Sequence, residues 1–180
     1  MRNDNIKTLI LGLGNPILSD DGVGCHVAMA LKERLQEPEV DVLEASIAGL
    51  DFLDLLTGYD KVIIIDAIQT GEGTPGQIYR LDPEAFNATR HAATPHDVNF
   101  ATALELGKRL GLALPQRIVI LAIEVEDVTT FSEECTPKVE RAIPICVEKV
   151  IQELNGDTDK REPADVQIAD GTNTVPADAA

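Results

Sequence analysis

The sequence predicts an α/β fold, a three-layer α/β/α sandwich around a mostly parallel and possibly mixed sheet of five strands. Three observations carry that expectation. Short unbroken Ile, Val and Leu runs, above all Val62-Ile63-Ile64-Ile65, have the pattern of strands covered on both faces. Between them lie segments whose apolar residues recur at helical spacing, and glycine or proline turn chemistry marks the joints. One domain is expected over residues 1–154. From Asn155 to Ala180 the apolar periodicity stops and Gly, Pro, Thr, Asp and Ala dominate, the composition of a disordered acidic tail.

Lys7 to Gly12 is the first buried strand. The segment Met1 to Leu18 imitates a signal peptide, with Arg2 and Lys7 ahead of Thr8-Leu9-Ile10-Leu11, but Gly-Asn-Pro interrupts it and no Ala-x-Ala pattern follows. Val23, Val27, Ala30, Leu31 and Leu35 then predict a helix. Val40 to Glu44 is a second strand, and Gly49 to Leu56 a short helix with Leu50, Leu53 and Leu56 on one side. Lys61 to Asp66 is the third strand. After turn chemistry over Gly71 to Gly76, Gln77 to Leu81 has the polar admixture of an edge strand. Thr94-Pro95-His96-Asp97 opens a helix, with Thr94 as N-cap, Pro95 at the first position, Asp97 completing a capping box, and Val98, Ala101, Leu104 and Leu110 as its stripe. Arg117 to Glu124 is the last strand. Thr136-Pro137 starts the last helix, buried along Val139, Ile143, Cys146, Val150 and Leu154 and kinked at Pro144.

A chain of 180 residues can bury roughly 70% of the surface that it exposes when unfolded, so no disulfide or structural zinc is needed. Cys25, Cys135 and Cys146 are odd in number and share no CxxC spacing, which fits a reducing, cytoplasmic setting. The formal net charge of −16 argues against nucleic acid, whose affinity depends on basic surface, and favours a metal ion or a protein partner. No apolar stretch approaches the roughly 20 residues of a membrane span.

The candidate site gathers residues far apart in the chain. Asp21 follows the first strand, Asp66 ends the third, and His96 lies in the first turn of a helix. In a sheet with strands one and three adjacent, and strand two outside strand one, the two acids face each other across the crevice where the strand order reverses. His96 near a helix N-terminus stays neutral and available to a metal. A charge after four apolar residues, as at Asp66, needs a cation or several amides, and capping of the following loop is its structural alternative. Asp20 is expected to cap the helix, and His26 to lie on the helix surface. Gly12-x-Gly14 after a strand also suggests a dinucleotide site, but position 17 is Ile rather than Gly, and Asp20 with Asp21 would repel a pyrophosphate. Cys25 and His26 point about 100° apart on a helix and make no nucleophile–base pair. No Gly-x-Ser-x-Gly elbow or His-Glu-x-x-His helix occurs.

Gly-Leu-Gly-Asn-Pro-Ile-Leu-Ser-Asp-Asp-Gly-Val-Gly, then Ile-Ile-Ile-Asp-Ala, then Thr-Pro-His-Asp, resemble the hydrogenase maturation endopeptidases over about residues 7–154. The resemblance implies a cytoplasmic endopeptidase that removes a C-terminal extension from a nickel-iron hydrogenase large-subunit precursor after nickel insertion. Asp21, Asp66 and His96 would then be metal ligands, with Asp21 and Asp66 in the catalytic step. Asp21 stands where some members have Glu. Nickel would arrive on the precursor, and zinc or another divalent ion could substitute. The expected partner is the precursor alone, with no nucleic acid, no membrane and a monomeric enzyme. The opening Gly-Leu-Gly-Asn-Pro also resembles peptidyl-tRNA hydrolases, but Thr89-Arg90-His91 lies far downstream of the place where that family has its motif. A nickel-dependent chaperone that binds the precursor without cutting it would use the same three ligands. Specificity is expected from Ile68 to Gly76 and Glu124 to Glu134, the loops flanking the crevice.

Overall fold

The computed structural model describes residues 6–47, 50–88 and 100–156. Five strands, β1 (Thr8–Leu13), β2 (Val40–Ala45), β3 (Lys61–Ile68), β4 (Ile78–Leu81) and β5 (Arg117–Glu124), form one sheet in the order β2-β1-β3-β5-β4. The pairs β1–β2, β1–β3 and β3–β5 are parallel, and β4 runs antiparallel to β5 at the edge. The expected α/β sandwich and mixed sheet are therefore present, with the strand order reversing between β1 and β3.

Side-chain alternation assigns each face of the sheet a separate core. Ile10, Ile63, Ile65, Val119 and Leu121 pack with buried residues of α1 (Val23–Arg34) and α6 (Ala142–Leu154). Leu9, Leu11, Val62, Ile64 and Ile120 pack with Phe52 of α2 (Asp51–Leu56), Phe86 of α3 (Pro83–Ala88) and Phe100 of α4 (Phe100–Arg109). Each such side chain, buried on both sides of the sheet, contributes roughly 1.5–3 kcal/mol. Phe100 meets Phe52 edge-on, with ring centroids 4.9 Å apart, and Phe86 at 6.0 Å. At the amino end of the sheet, buried Glu153 ties α6 down: Arg80 Nε lies 2.6 Å from its Oε1, Arg117 lies 3.6 Å from its Oε2, and Lys61 Nζ donates to its carbonyl oxygen.

Several elements differ from expectation for identifiable reasons. In α2, Phe52 joins Leu53 and Leu56 in the core, while Leu50 precedes the helix and is 47% exposed. In α4 Leu104 is buried as expected, but its companions are Phe100, Ala103 and Gly107 rather than Ala101 and Leu110, and Leu110 is 64% exposed. Gly107 packs on that face, where a Cβ would lie 2.7 Å from Leu53 Cδ2 and 2.9 Å from Leu114 Cδ1, so a larger residue would require those leucine side chains to shift. The expected start of this helix at Thr94, Pro95 and Asp97, and Val98 of its stripe, lie outside the described residues.

Pro144 does not kink a continuous helix. The break falls at Arg141, between α5 (Pro137–Glu140) and α6, three residues before Pro144. Proline clashes with the carbonyl of residue i−4, here Glu140, and is tolerated in the first turn, where Pro144 stands in α6. Helix α3 was not legible from apolar spacing. Its signal is Asp82-Pro83, with Asp82 Oδ1 accepting the Ala85 amide at 2.7 Å.

Candidate active site

The crevice opens where β1 ends and β3 continues. The β1–β3 ladder stops at Gly12 with Ile65, whereas β3 stays paired to β5 through Ile68 and Glu124. Asp66 therefore lies inside β3, two residues before its end, and not at the terminus as the sequence suggested. It pairs with Ala122 on the β5 side, just beyond the last β1 partner. Its Oδ1 accepts the Ala67 amide at 2.8 Å. Asp66 shares the alternation of Val62, Ile64 and Ile68, the face on which α4 packs.

Asp21 reaches the same place from the other side. After β1 the chain coils through residues 14–18 into a short 3-10 turn, Ser19–Gly22, and then α1. Gly14 has φ +132°, and a Cβ there would come within 1.8 Å of the Asp21 carbonyl oxygen. A Cβ on Gly24 would lie 2.2 Å from the Leu13 carbonyl oxygen and 2.5 Å from that of Ile65. These glycines press the start of α1 onto the ends of β1 and β3, beside Asp66. They serve close packing, not a phosphate cradle. The Asn15 amide donates to Asp21 Oδ2 at 2.9 Å, and the Asp21 amide donates to the Leu18 carbonyl.

Asp21 is buried, and its pKa is raised, first by that burial and further by the negative charge of Asp66, against the lowering effect of the Asn15 bond. Two carboxylates at one place, with the charge of Asp66 adding to the burial that raises Asp21, are hard-oxygen donors of the kind that suits a divalent cation. His96 and His91 lie outside the described residues. Among the described residues no group of three or more His, Cys, Asp or Glu side chains is placed to hold a metal. Cys25 is buried, with Sγ 3.6 Å from the Gly14 carbonyl, and burial together with Glu44, Asp21 and Asp66 pushes its thiol up to about 11. It is no nucleophile at neutral pH. His26 is only half-exposed, contrary to a surface placement, and its Nε2 is buried.

Asp20 does not cap its own helix. It is fully buried and accepts hydrogen bonds from the amides of Glu126 (3.2 Å), Asp127 (3.0 Å) and Thr136 (2.6 Å), and from the Thr136 hydroxyl (3.1 Å). It thus ties the loop over residues 125–136 to the turn that carries Asp21. Glu124 plays the matching part for the loop after β3, accepting the Thr70 amide at 2.8 Å and its hydroxyl at 3.0 Å. Neither role was anticipated. A buried acid adjacent to a loop is the only signal of them in the sequence, and it does not say which loop.

A hydrogenase maturation protease family model matches residues 25–153. Hydrogenase 2 maturation protease of Escherichia coli (strain K12) is 28% identical over 151 residues, covering 83% of this chain and 91% of that protein. A putative hydrogenase maturation protease of Methanocaldococcus jannaschii is 28% identical over 151 residues, covering 79% of this chain and 95% of that protein. The solved hydrogenase maturating endopeptidase HybD from E. coli superposes with a TM-score of 0.72 at 27% identity, over 85% of this chain and 94% of that one. A hydrogenase maturation protease from Thermococcus kodakarensis, at 22% identity and TM-score 0.63, shares the fold. Among the described residues no helix is long and apolar enough to cross a membrane. With this fold and a family match over most of its length, the chain belongs to the hydrogenase maturation proteases, hydrolases acting on peptide bonds.

Proposed function

We propose that the protein cuts the C-terminal extension from the precursor of a nickel-iron hydrogenase large subunit after nickel has been inserted, in the cytoplasm, with the ion itself as the recognition element. The observation that carries this reading is the approach of Asp21, after β1, to Asp66, inside β3, close enough for the charge of Asp66 to add to the rise of the Asp21 pKa. A divalent ion carried by the precursor offsets the charge of Asp66 felt by Asp21, so the carboxylates favour a loaded client over an empty one. His96 is the proposed third ligand. Two carboxylates and an imidazole without thiolate hold such an ion less tightly than a closed structural site does. Nickel bound by the precursor's own ligands is therefore shared between the two proteins during cleavage.

With the ion bridged, the scissile bond lies in the crevice beside Asp21 and Asp66. Water attack assisted by a carboxylate, which takes the water proton, and polarisation of the carbonyl by the client's ion are both compatible with that placement. The test compares nickel-loaded and nickel-free precursor, each incubated with wild type or Asp66→Asn, and follows precursor mass. Cleavage only of the loaded precursor by wild type is expected. Equal cleavage in all four mixtures refutes the proposal.

A further inference from the structure

We infer that Ile17 and Phe131 form an apolar clamp on the rim of the crevice, and that it seats an apolar side chain of the precursor carried in a net-basic stretch of its chain. This rests on the proteolytic reading above and identifies which residues grip the client. Leu18 and Ser132 make a parallel bridge, with the Ser132 amide donating to the Ile17 carbonyl and the Ser19 amide to the Ser132 carbonyl. Residues opposite one another in parallel pairing project to the same face. Ile17 and Phe131 each stand one residue before that bridge, and the Ser132 amide, which follows Phe131, bonds the Ile17 carbonyl, so the two backbones are adjacent. Ile17 is 49% exposed and Phe131 82% exposed.

Isolated exposed apolar residues are ordinary, but an adjacent pair displayed by fixed backbone is a different matter. The loop under Phe131 is held by Asp20 through three amides and a hydroxyl. Asp127 Oδ1 accepts the Thr129 and Thr130 amides, and these bonds, together with the Thr130 and Thr129 side chains, hold its carboxyl down at about 2. Exposure of Phe131 is thus a built conformation. It is also continuous with the site: Asp21 takes the Asn15 amide, Asn15 Oδ1 takes the Ile17 amide at 3.2 Å, and Ile17 is bonded to Ser132. That unbroken series of contacts leads from the cleaving carboxylates to the aromatic ring.

Charge selects the occupant. Exposed Glu126, Glu133 and Glu134 lie on the same loop, and Lys138 pairs with Glu126 at 3.0 Å. An acidic client segment would be repelled, whereas an apolar residue with basic neighbours satisfies both the ring and the acids. The experiment measures steady-state cleavage of nickel-loaded precursor by wild type, Phe131→Ala, Phe131→Leu and Ile17→Ala, at low and high salt, with melting temperatures recorded for each. Phe131→Ala is expected to raise KM about tenfold with kcat within twofold of wild type. Phe131→Leu should recover most of that loss, Ile17→Ala should raise KM severalfold, and salt should raise KM for wild type. Because both side chains are exposed, melting temperatures stay level. KM values within twofold of wild type for both alanine variants overturn the clamp while leaving the protease reading intact. Failure of wild type to cut loaded precursor overturns that reading, and the clamp with it.

Discussion

Replacing Asp20 with alanine separates a local helix cap from a tether between two segments more than a hundred residues apart. A lost cap costs about 1 kcal/mol. In the structure, Asp20→Ala strips the acceptor from the amides of Glu126, Asp127 and Thr136, and from one hydroxyl. Each buried donor left unsatisfied costs roughly 1–3 kcal/mol, and water reaches part of this loop once it loosens. The expected loss is therefore about 3–5 kcal/mol, a fall of roughly 10–15 °C in melting temperature for a chain of this size. Urea unfolding of wild type and variant, compared at constant slope, measures it. Thr136→Val supplies the cycle: it should cost about 1 kcal/mol in wild type and almost nothing beside Asp20→Ala. A loss of 1 kcal/mol or less for Asp20→Ala would refute the tether and restore the cap.

Further outcomes follow from the same geometry. Gly24→Ala places a Cβ against the carbonyl oxygens of Leu13 and Ile65, both backbone atoms that cannot swing aside, and should cost about 3 kcal/mol or prevent folding. A thermal melt within 2 °C of wild type would contradict this. Pro144→Ala should change stability by no more than about 1 kcal/mol, since a proline in a first turn breaks nothing, whereas relief of a mid-helix proline would add about 3 kcal/mol. Asp21 has a folded pKa raised above its ordinary 3.8, so the folded state holds that proton more tightly, and ionisation weakens the fold as pH rises from about 3.8 through the raised value. Without metal, Asp21→Asn should be at least as stable as wild type at pH 7, with the difference shrinking below pH 4. A deficit that grows with pH argues against it. Burial places the Cys25, Cys135 and Cys146 thiols at about 11, 12 and 12, so iodoacetamide at pH 8 should leave cleavage unchanged.

Much of this architecture was legible because it rests on the strongest patterns a chain displays. The Val62 to Ile65 run gives a doubly covered strand and Gln77 and Arg80 mark the edge, whereas the adjacency of strands one and three was a condition of the site reading, which the sheet order meets. What was missed has a physical source. Gly107 carries no apolar signal, yet it lies on the buried face of α4, close to Leu53 and Leu114. Phe52 outweighs Leu50 because a large ring fills the space between α2 and α4. The bridging role of Asp20 depends on a loop beginning more than a hundred residues later, which no local pattern reveals. Asp21 and Asp66 stood out because each adjoins a run of buried strand residues, where a charge must have a reason. Asn15, which positions Asp21, looked like one turn residue among several.

The central claim is that Asp21, Asp66 and His96 converge on one divalent ion. Calorimetric titration of the protein with Ni²⁺ alone, for wild type, Asp21→Asn, Asp66→Asn and His96→Ala, tests it most directly. One ion per chain in wild type and at least tenfold weaker binding in every variant is the predicted result. Variants that bind nickel as wild type does would contradict it.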